Sequence, residues 1–165
     1  MDDLDRRVLD LFSTEPHIGV LGASRRLGVA RGTVQARLDR LEQRGVITGW
    51  GPRLSPEALG YPVTAFLTLE IRQDPGADGG HDAVGDHLRA IPEVLEVHTV
   101  TGPGDVLARV VAGSNADLQR VIDRVVGHRA IVRSSTVIAL ATQVPHRVLP
   151  LTRQGSPGQP SASES

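Results

Sequence analysis

Residues 29–47 carry the sequence VARGTVQARLDRLEQRGVI, which decides the fold of the first third of the chain. Its apolar residues recur at the spacing of one helix face, and Gly45 lies near its end, where glycine commonly terminates a helix. The pattern predicts a helix over residues 31–44, preceded by a shorter helix over 19–27. Two short helices joined by the turn 28–30 are typical of a helix-turn-helix. The apolar residues are Val34, Leu38 and Leu41.

The rest of the surface of this predicted helix is small or basic. Residues 25–44 contain six arginines and two acidic residues, a local charge of +4 in a chain of net charge −1. A helix with small residues and flanking arginines fits a DNA major groove, where it meets phosphates and guanine edges. A surface helix with solvated arginines shows the same periodicity, so periodicity alone leaves both alternatives open. The candidate DNA-contacting residues are Arg31, Gly32, Thr33, Gln35, Ala36, Arg37, Arg40 and Arg44.

Two further features complete the N-terminal pattern. Apolar residues at helical spacing, after acidic residues that favour a helix start, predict a first helix over residues 3–12. Residues 46–50 predict a short extended segment with a turn, which we interpret as a wing. The second helix is weakly encoded because Gly22 lies inside it.

The pattern changes to alternation at residue 62. Four strands and two helices follow in the order βαββαβ, which is the ferredoxin-like arrangement of an antiparallel sheet with both helices on one face. The fold class predicted for the chain is therefore α+β. The other sheet face needs a cover, most simply a second copy of the chain. The predicted strands are 63–71, 94–101, 106–112 and 135–142, and the helices lie around 84–91 and 115–126.

Composition and these patterns give a domain organisation. We predict a winged helix-turn-helix over residues 1–50, a linker over 51–61 and a ferredoxin-like domain over 62–150. Residues 151–165 are rich in Gly, Pro, Ser and Gln, which predicts a disordered tail. A Gly/Asp-rich loop is expected at 74–80.

Composition also excludes several classes of function. The chain has no cysteine, so disulfides, thiolate nucleophiles and cysteine-bound metals are excluded. No pair of the six histidines has the helical spacing of a metal site, and we predict neither a metal nor a cofactor. The sequence has no membrane-length apolar run and no signal peptide, which indicates a soluble cytoplasmic protein without a membrane partner.

The stretch of residues 29–47 resembles the helix-turn-helix of the Lrp/AsnC family of regulators, whose pattern runs roughly L-S-x-x-T-V-x-x-R-I-x-x-L-E-x-x-G-V-I. The similarity extends over about residues 3–150. It includes the linker pattern from Ile47 to Tyr61, the turn 101–106 and the last strand 132–140. The residues that fit the helix-turn-helix pattern directly are Thr33, Val34, Arg37, Leu41, Glu42, Gly45, Val46 and Ile47.

This resemblance implies a transcription factor that binds double-stranded DNA and dimerises through its ferredoxin-like domain. Dimers of the family often assemble further into tetramers or octamers. An amino acid or related metabolite typically binds between effector domains. The chain departs from the pattern at Ala30, where a serine N-cap is usual, and at Gly104, where a larger residue is common. We expect Gly104 to leave a roomier effector pocket.

The turn between the second and third strands is the candidate effector site. It places backbone N–H groups, a hydroxyl and a carboxylate together, which suits the ammonium and carboxylate of an amino acid. A glycine- and proline-rich hairpin with a solvated aspartate is the alternative, and the resemblance favours a site. A threonine on the last strand could line the same pocket or serve only as a strand former. The candidate residues are Thr101, Gly102, Gly104, Asp105 and Thr136.

An enzyme on the same fold is the alternative function. Some proteins that resemble this family are haem-pathway decarboxylases, which use histidine and arginine in the α/β domain. Arg109 and His98 lie on predicted strands and are the candidates for those roles. The arginine-flanked helix disfavours this alternative because an enzyme has no need of it.

Overall fold

The structure is a computed structural model that describes residues 1–72 and 80–153. It divides into two compact units, one formed by residues 1–52 with the chain from 144 onward, the other by residues 53–143. The chain therefore leaves the first unit after residue 52 and returns to it at residue 144.

The first unit contains three helices: α1 (Asp3–Thr14), α2 (Gly19–Leu27) and α3 (Arg31–Gln43). Asp2 caps α1 in a reciprocal arrangement, because its side chain accepts a hydrogen bond from Asp5 N and the Asp5 side chain accepts one from Asp2 N. Gly28 ends α2 with φ of 70°, a left-handed conformation that glycine adopts without strain. The three helices predicted from sequence are confirmed.

A small apolar core joins the three helices. Val8 and Leu11 of α1 meet Ala23 of α2 and the predicted apolar face of α3. The segment after α3 forms a turn and has no paired strand, so the structure has the turn of the predicted wing but no strand beside it. Ile47 on this segment packs against the core and fixes where the chain leaves α3.

A C-terminal segment belongs to this helical unit. Leu149–Arg153 forms a short 3-10 helix, in which the Thr152 hydroxyl donates to Leu149 O at 2.8 Å. Arg153 lies 3.5 Å from an Asp10 carboxylate oxygen on α1. The expected disorder from residue 151 is therefore wrong for 151–153, because a turn-closing threonine and two leucines give this stretch local structure. The remainder of the expected tail, 154–165, lies outside the described residues.

The second unit has the order βαββαβ. Its four strands form one antiparallel sheet in the order β2-β3-β1-β4, which confirms the ferredoxin-like fold class. The last strand begins four residues before its predicted start and ends three residues before its predicted end. The elements are β1 (Val63–Ile71), α4 (His81–Arg89), β2 (Val94–Thr99), β3 (Val106–Ala112), α5 (Asn115–Val126) and β4 (Ile131–Ala139).

Both helices cover one face of this sheet. Alternate residues of β1 and β3 are buried against α4 and α5, for example Leu67 and Ala108, which pair with each other. Ser114 caps α5 by accepting a hydrogen bond from Asp117 N, as its position predicts. The uncovered face carries apolar side chains between two ion pairs. Its residues include Phe66, Leu107 and Val137, with the pairs Glu70–Arg133 and Glu96–Arg109.

The loop predicted at 74–80 lies outside the described residues except for Gly80, which is the N-cap of α4. Across the described ranges, no helix has the length and apolar character needed to cross a bilayer.

Candidate functional site

The face of α3 opposite the helical core is exposed. Val34, Leu38 and Leu41 are buried, as the sequence pattern predicts. The N-terminal half of the helix therefore presents a continuous surface of small and polar side chains, the surface on which an HTH helix contacts base edges. The exposed candidates are Arg31, Gly32, Thr33, Gln35, Ala36, Arg40 and, at the C-cap, Arg44, whereas Arg37 is half-buried.

Two of the predicted DNA-contacting arginines have carboxylate partners on α1, although the Arg40 side chain remains 45% exposed. Arg37 Nη1 donates to Asp5 Oδ1 at 2.9 Å and also to an Asp2 carboxylate oxygen. Arg40 Nη2 donates to both Asp5 oxygens, at 2.6 and 2.9 Å. The Asp5 side chain is only 1% exposed. The predicted arginine stripe therefore includes two residues that α1 binds through its carboxylates, and the assignment of Arg37 and Arg40 as DNA-contacting residues stays a prediction.

These ion pairs shift the pKa values of Asp2, Asp5 and Arg37. The hydrogen bond from Arg37 lowers the pKa of Asp2 to about 2. Burial raises the pKa of Asp5, but hydrogen bonds from Arg37, Asp2 N and Arg40 outweigh it, so the pKa of this carboxyl is lowered. The same contacts raise the pKa of Arg37. Asp2, Asp5 and Arg37 are therefore charged at neutral pH.

Sequence reasoning missed Asp5, although a signal was present. Asp5 lies three residues before Val8 and six before Leu11, and all three are buried. A carboxylate on the buried face of an amphipathic helix requires a cationic partner. Asp5 lies on the same apolar face of α1 as Val8 and Leu11, and arginines were predicted on α3. This position of Asp5 therefore indicated that it pairs with those arginines.

The chain exit from α3 is held by Trp50. Its indole N–H donates to Glu42 at 2.6 Å, and its ring packs edge-on against Phe12 with centroids 5.5 Å apart. Trp50 is the single tryptophan of the chain. Its fluorescence therefore reports on the helical unit.

The candidate effector turn closes tightly onto β1. Val100 N donates to Asp105 O at 3.0 Å, and Asp105 N donates to Leu69 O at 2.9 Å. One oxygen of the Asp105 carboxylate accepts a hydrogen bond from Ile71 N at 2.7 Å. Asp105 thus has a structural role beside any role in ligand binding. Thr101 and Gly102 are exposed at the tip of the turn.

Gly104 does not open a pocket. It is buried, and a Cβ at this position would lie far inside van der Waals contact of Thr68 Cγ2 and 3.2 Å from Leu69 O. The expectation of a roomier pocket at Gly104 is wrong, because the missing side chain lets the turn backbone approach β1 closely.

Thr136 lies apart from the turn. It is exposed on β4, where it pairs with Leu67 of β1, whereas Asp105 precedes β3 on the other side of β1. Adjacent strands are separated by about 4.8 Å, so one intervening strand places Thr136 about 10 Å away. The structure brings the four turn residues together but does not add Thr136 to them within one chain.

The cavities formed by described residues of the sheet unit include the following two. One of about 400 Å³ is bordered by α4 and β2, and one of about 670 Å³ by residues 59–61 and α5. Neither is lined by the turn 101–105. Within residues 1–72 and 80–153, no group of three histidine, aspartate or glutamate side chains is arranged to hold a metal ion.

The residues considered for an enzyme lie on the uncovered sheet face. Arg109 Nη1 is 3.2 Å from Glu96 Oε1, and His98 Nε2 is 3.8 Å from the other Glu96 oxygen. Neither Arg109 nor His98 lines either cavity. This geometry does not favour the enzyme alternative.

Both units match known families. The profile described as winged helix-turn-helix DNA-binding matches residues 1–48, and that of the Lrp/AsnC ligand binding domain matches residues 64–149. The chain belongs to the Lrp/AsnC family. The family comprises DNA-binding transcriptional regulators, so DNA binding is the coarse function that membership assigns to this chain.

Individual Lrp/AsnC proteins are similar to this chain in sequence or structure over nearly its whole length. The transcriptional regulator FL11 of Pyrococcus furiosus is 26% identical over 151 residues, covering 92% of this chain and 97% of that protein. The structure of AsnC from E. coli has a TM-score of 0.81 at 26% identity and covers 91% and 99% of the two chains. A feast or famine regulatory protein from M. tuberculosis, solved with L-methionine, has a TM-score of 0.76 at 28% identity, with coverages of 89% and 97%.

The Asp2 contact predicts an acid-sensitive stability. Because the pKa of Asp2 is lowered from 3.8 to about 2 on folding, its stabilising contribution is complete above the unfolded pKa and is lost as pH falls toward 2. The difference in unfolding free energy between wild type and Asp2→Asn should therefore shrink between about pH 4 and about pH 2. Urea unfolding followed by Trp50 fluorescence measures it. Asp3→Asn, exposed in the same helical turn, is the control, and a difference that stays constant with pH would contradict the prediction.

The close approach at Gly104 predicts a cost for any side chain there. Gly104→Ala should destabilise the sheet unit by about 1–3 kcal/mol, because Thr68 or the β1 backbone must shift. Gly85→Ala on α4 is the matched control, since nothing lies within 4 Å of its added Cβ. That control should be neutral or stabilise by about 0.5–1 kcal/mol. Thermal unfolding followed by circular dichroism compares the midpoints of the two variants. Equal midpoints would show that the turn accommodates the added methyl group without loss of stability and would contradict the prediction.

Proposed function

We propose that this protein is an oligomeric, sequence-specific transcriptional regulator that inserts α3 into the DNA major groove and responds to an amino acid. The observation that carries the proposal is the exposed N-terminal half of α3 on a three-helix core. Small residues at Gly32 and Ala36 let the helix approach base edges, and Thr33 and Gln35 supply polar groups beside them.

We infer that a second copy covers the open face of the sheet. A four-stranded sheet with helices on one face leaves the other unprotected, and here Phe66, Leu107 and Val137 lie on that face. The flanking ion pairs give the face a polar border, as in many interfaces between subunits. A two-fold pair of helix-turn-helix units then fits a pseudo-palindromic site.

The proposed effector is an amino acid at the turn that contains Thr101, Gly102 and Asp105. Two of the similar structures, from Neisseria meningitidis and M. tuberculosis, were solved with L-methionine, and this supports an amino-acid ligand for the present chain. The Asp105 oxygen not bonded to Ile71 N is available for an ammonium group. Thr136 joins the proposed site only if a neighbouring copy presents its β4 to the turn.

The DNA interface is tested by selecting bound genomic fragments. Ala36→Glu places a carboxylate on the proposed groove-facing surface without disturbing the core, so it should weaken binding at least about tenfold, or about 1.4 kcal/mol. Ala116→Glu is the matched control, since Ala116 is an exposed alanine near the start of α5, where an acidic residue is tolerated. If Ala36→Glu enriches the same fragments with wild-type affinity, α3 does not enter the groove by this face.

The effector site is tested by calorimetry with a panel of amino acids, beginning with L-methionine. Asp105→Asn removes the charge but keeps an oxygen that can accept from Ile71 N, so it should weaken binding about tenfold or more while the unfolding midpoint changes little. Asp86→Asn on the exposed side of α4 is the control. Sedimentation with and without the bound amino acid reports assembly. Equal binding by wild type and Asp105→Asn would place the site elsewhere, and no binding by wild type would remove the amino-acid effector from the proposal.

A further inference from the structure

We propose that Asp5 sets Arg37 and Arg40 apart as positioning residues that hold α3 on α1. The DNA phosphates are then contacted by the exposed arginines of the helix-turn-helix that have no carboxylate partner. These are Arg25, Arg31 and Arg44. The inference deepens the proposed function, on which its DNA-binding half rests.

The positioning role follows from the burial of Asp5. Its side chain is 1% exposed, and both of its oxygens accept hydrogen bonds from arginine or backbone donors. A carboxylate removed from water must keep its cationic partners, since an uncompensated buried charge is far more costly than an exposed one. If Arg37 and Arg40 moved to phosphates on DNA binding, Asp5 would remain buried without either cation.

The geometry of α3 makes these two arginines a rotational lock. Arg37 and Arg40 are three residues apart, so they project from the same side of the helix. Both reach the first turn of α1, where Asp2 and Asp5 form the reciprocal cap. This contact fixes the rotation of α3 about its axis, and that rotation decides which residues face outward at positions such as Thr33 and Ala36.

The remaining arginines differ in their surroundings. Arg25 lies on α2, Arg31 in the first turn of α3 and Arg44 at its C-cap, and all three are exposed. In the part of the chain that the structure describes, no carboxylate lies within ion-pair distance of these three. Arg26 is different, because Glu15 lies 3.1 Å away. Arginines without an internal counter-ion release DNA counter-ions fully when they bind phosphate.

The salt dependence of binding separates the two groups. The probe is a fluorescent duplex of random sequence, which reports phosphate contacts without knowledge of the operator. The slope of log affinity against log salt is negative, and each lost phosphate contact reduces its magnitude by about 0.9. Arg31→Gln and Arg44→Gln in the full chain should reduce the magnitude of the slope and leave the unfolding midpoint near that of wild type. Arg37→Gln and Arg40→Gln should leave the slope unchanged and lower the midpoint measured by Trp50 fluorescence.

Two further variants sharpen the assignment. Arg37→Lys keeps the charge but loses the planar fork, so a phosphate contact would survive while the Asp5 lock would weaken. It also serves as the milder variant if Arg37→Gln does not fold. In a double-mutant cycle, Asp5→Asn and Arg40→Gln should be non-additive in stability, since both remove the same contact. Arg89→Gln on α4 is the control for loss of one exposed arginine.

The outcomes are distinct. A slope reduction in Arg37→Gln or Arg40→Gln as large as that in Arg31→Gln would overturn the division. Additive effects in the cycle would overturn the positioning role even if DNA binding is intact. Wild-type protein that binds the random duplex but selects no genomic fragments would contradict sequence-specific regulation and leave this inference standing. Wild-type protein that binds no duplex at low salt would overturn the phosphate assignment together with the proposed function.

Discussion

A buried carboxylate with two guanidinium partners determines the geometry of the helical unit. The apolar core shared by its three helices is small, with six buried apolar residues and eight partly buried ones packed against them. Asp5 adds an electrostatic constraint to this core, because its charge is tolerable in the interior only while Arg37 and Arg40 stay in place. The orientation of the exposed face of α3 is therefore an electrostatic consequence of a residue on α1.

In the sheet unit, a few contacts of one aspartate hold a turn in place. The turn before β3 is held against β1 by Asp105, whose backbone N–H and carboxylate bind two successive peptide groups at the end of that strand. Gly104 permits the approach because it has no side chain to separate the turn from Thr68. The residues at the tip are thus displayed on a rigid base, which is the arrangement that ligand-binding loops require.

Local patterns predicted most of the fold, because they reflect interactions between residues close in sequence. The periodicity of Val34, Leu38 and Leu41 predicted α3, and alternation predicted β1 to within a residue. The partners of Arg37 and Arg40 were missed because they lie more than thirty residues away in sequence. Gly104 was misinterpreted for a related reason. Whether an absent side chain leaves space depends on which strand packs above it, and the sequence of the turn does not contain that information.

The 3-10 helix Leu149–Arg153 affects the order in which the helical unit can form during synthesis, because it follows the sheet unit in the chain. Domains at the N-terminus of a chain commonly fold while the ribosome is still extending them. Here α1 precedes the sheet unit in the chain, whereas Arg153, which contacts its Asp10, follows that unit and is separated from Asp10 by 143 residues. The three helices can assemble early, but the unit reaches its final form only after the whole sheet has been translated. Formation of the complete helical unit is in this way coupled to synthesis of the whole sheet unit, and a chain that stops before residue 149 has a helix-turn-helix without the Arg153–Asp10 contact.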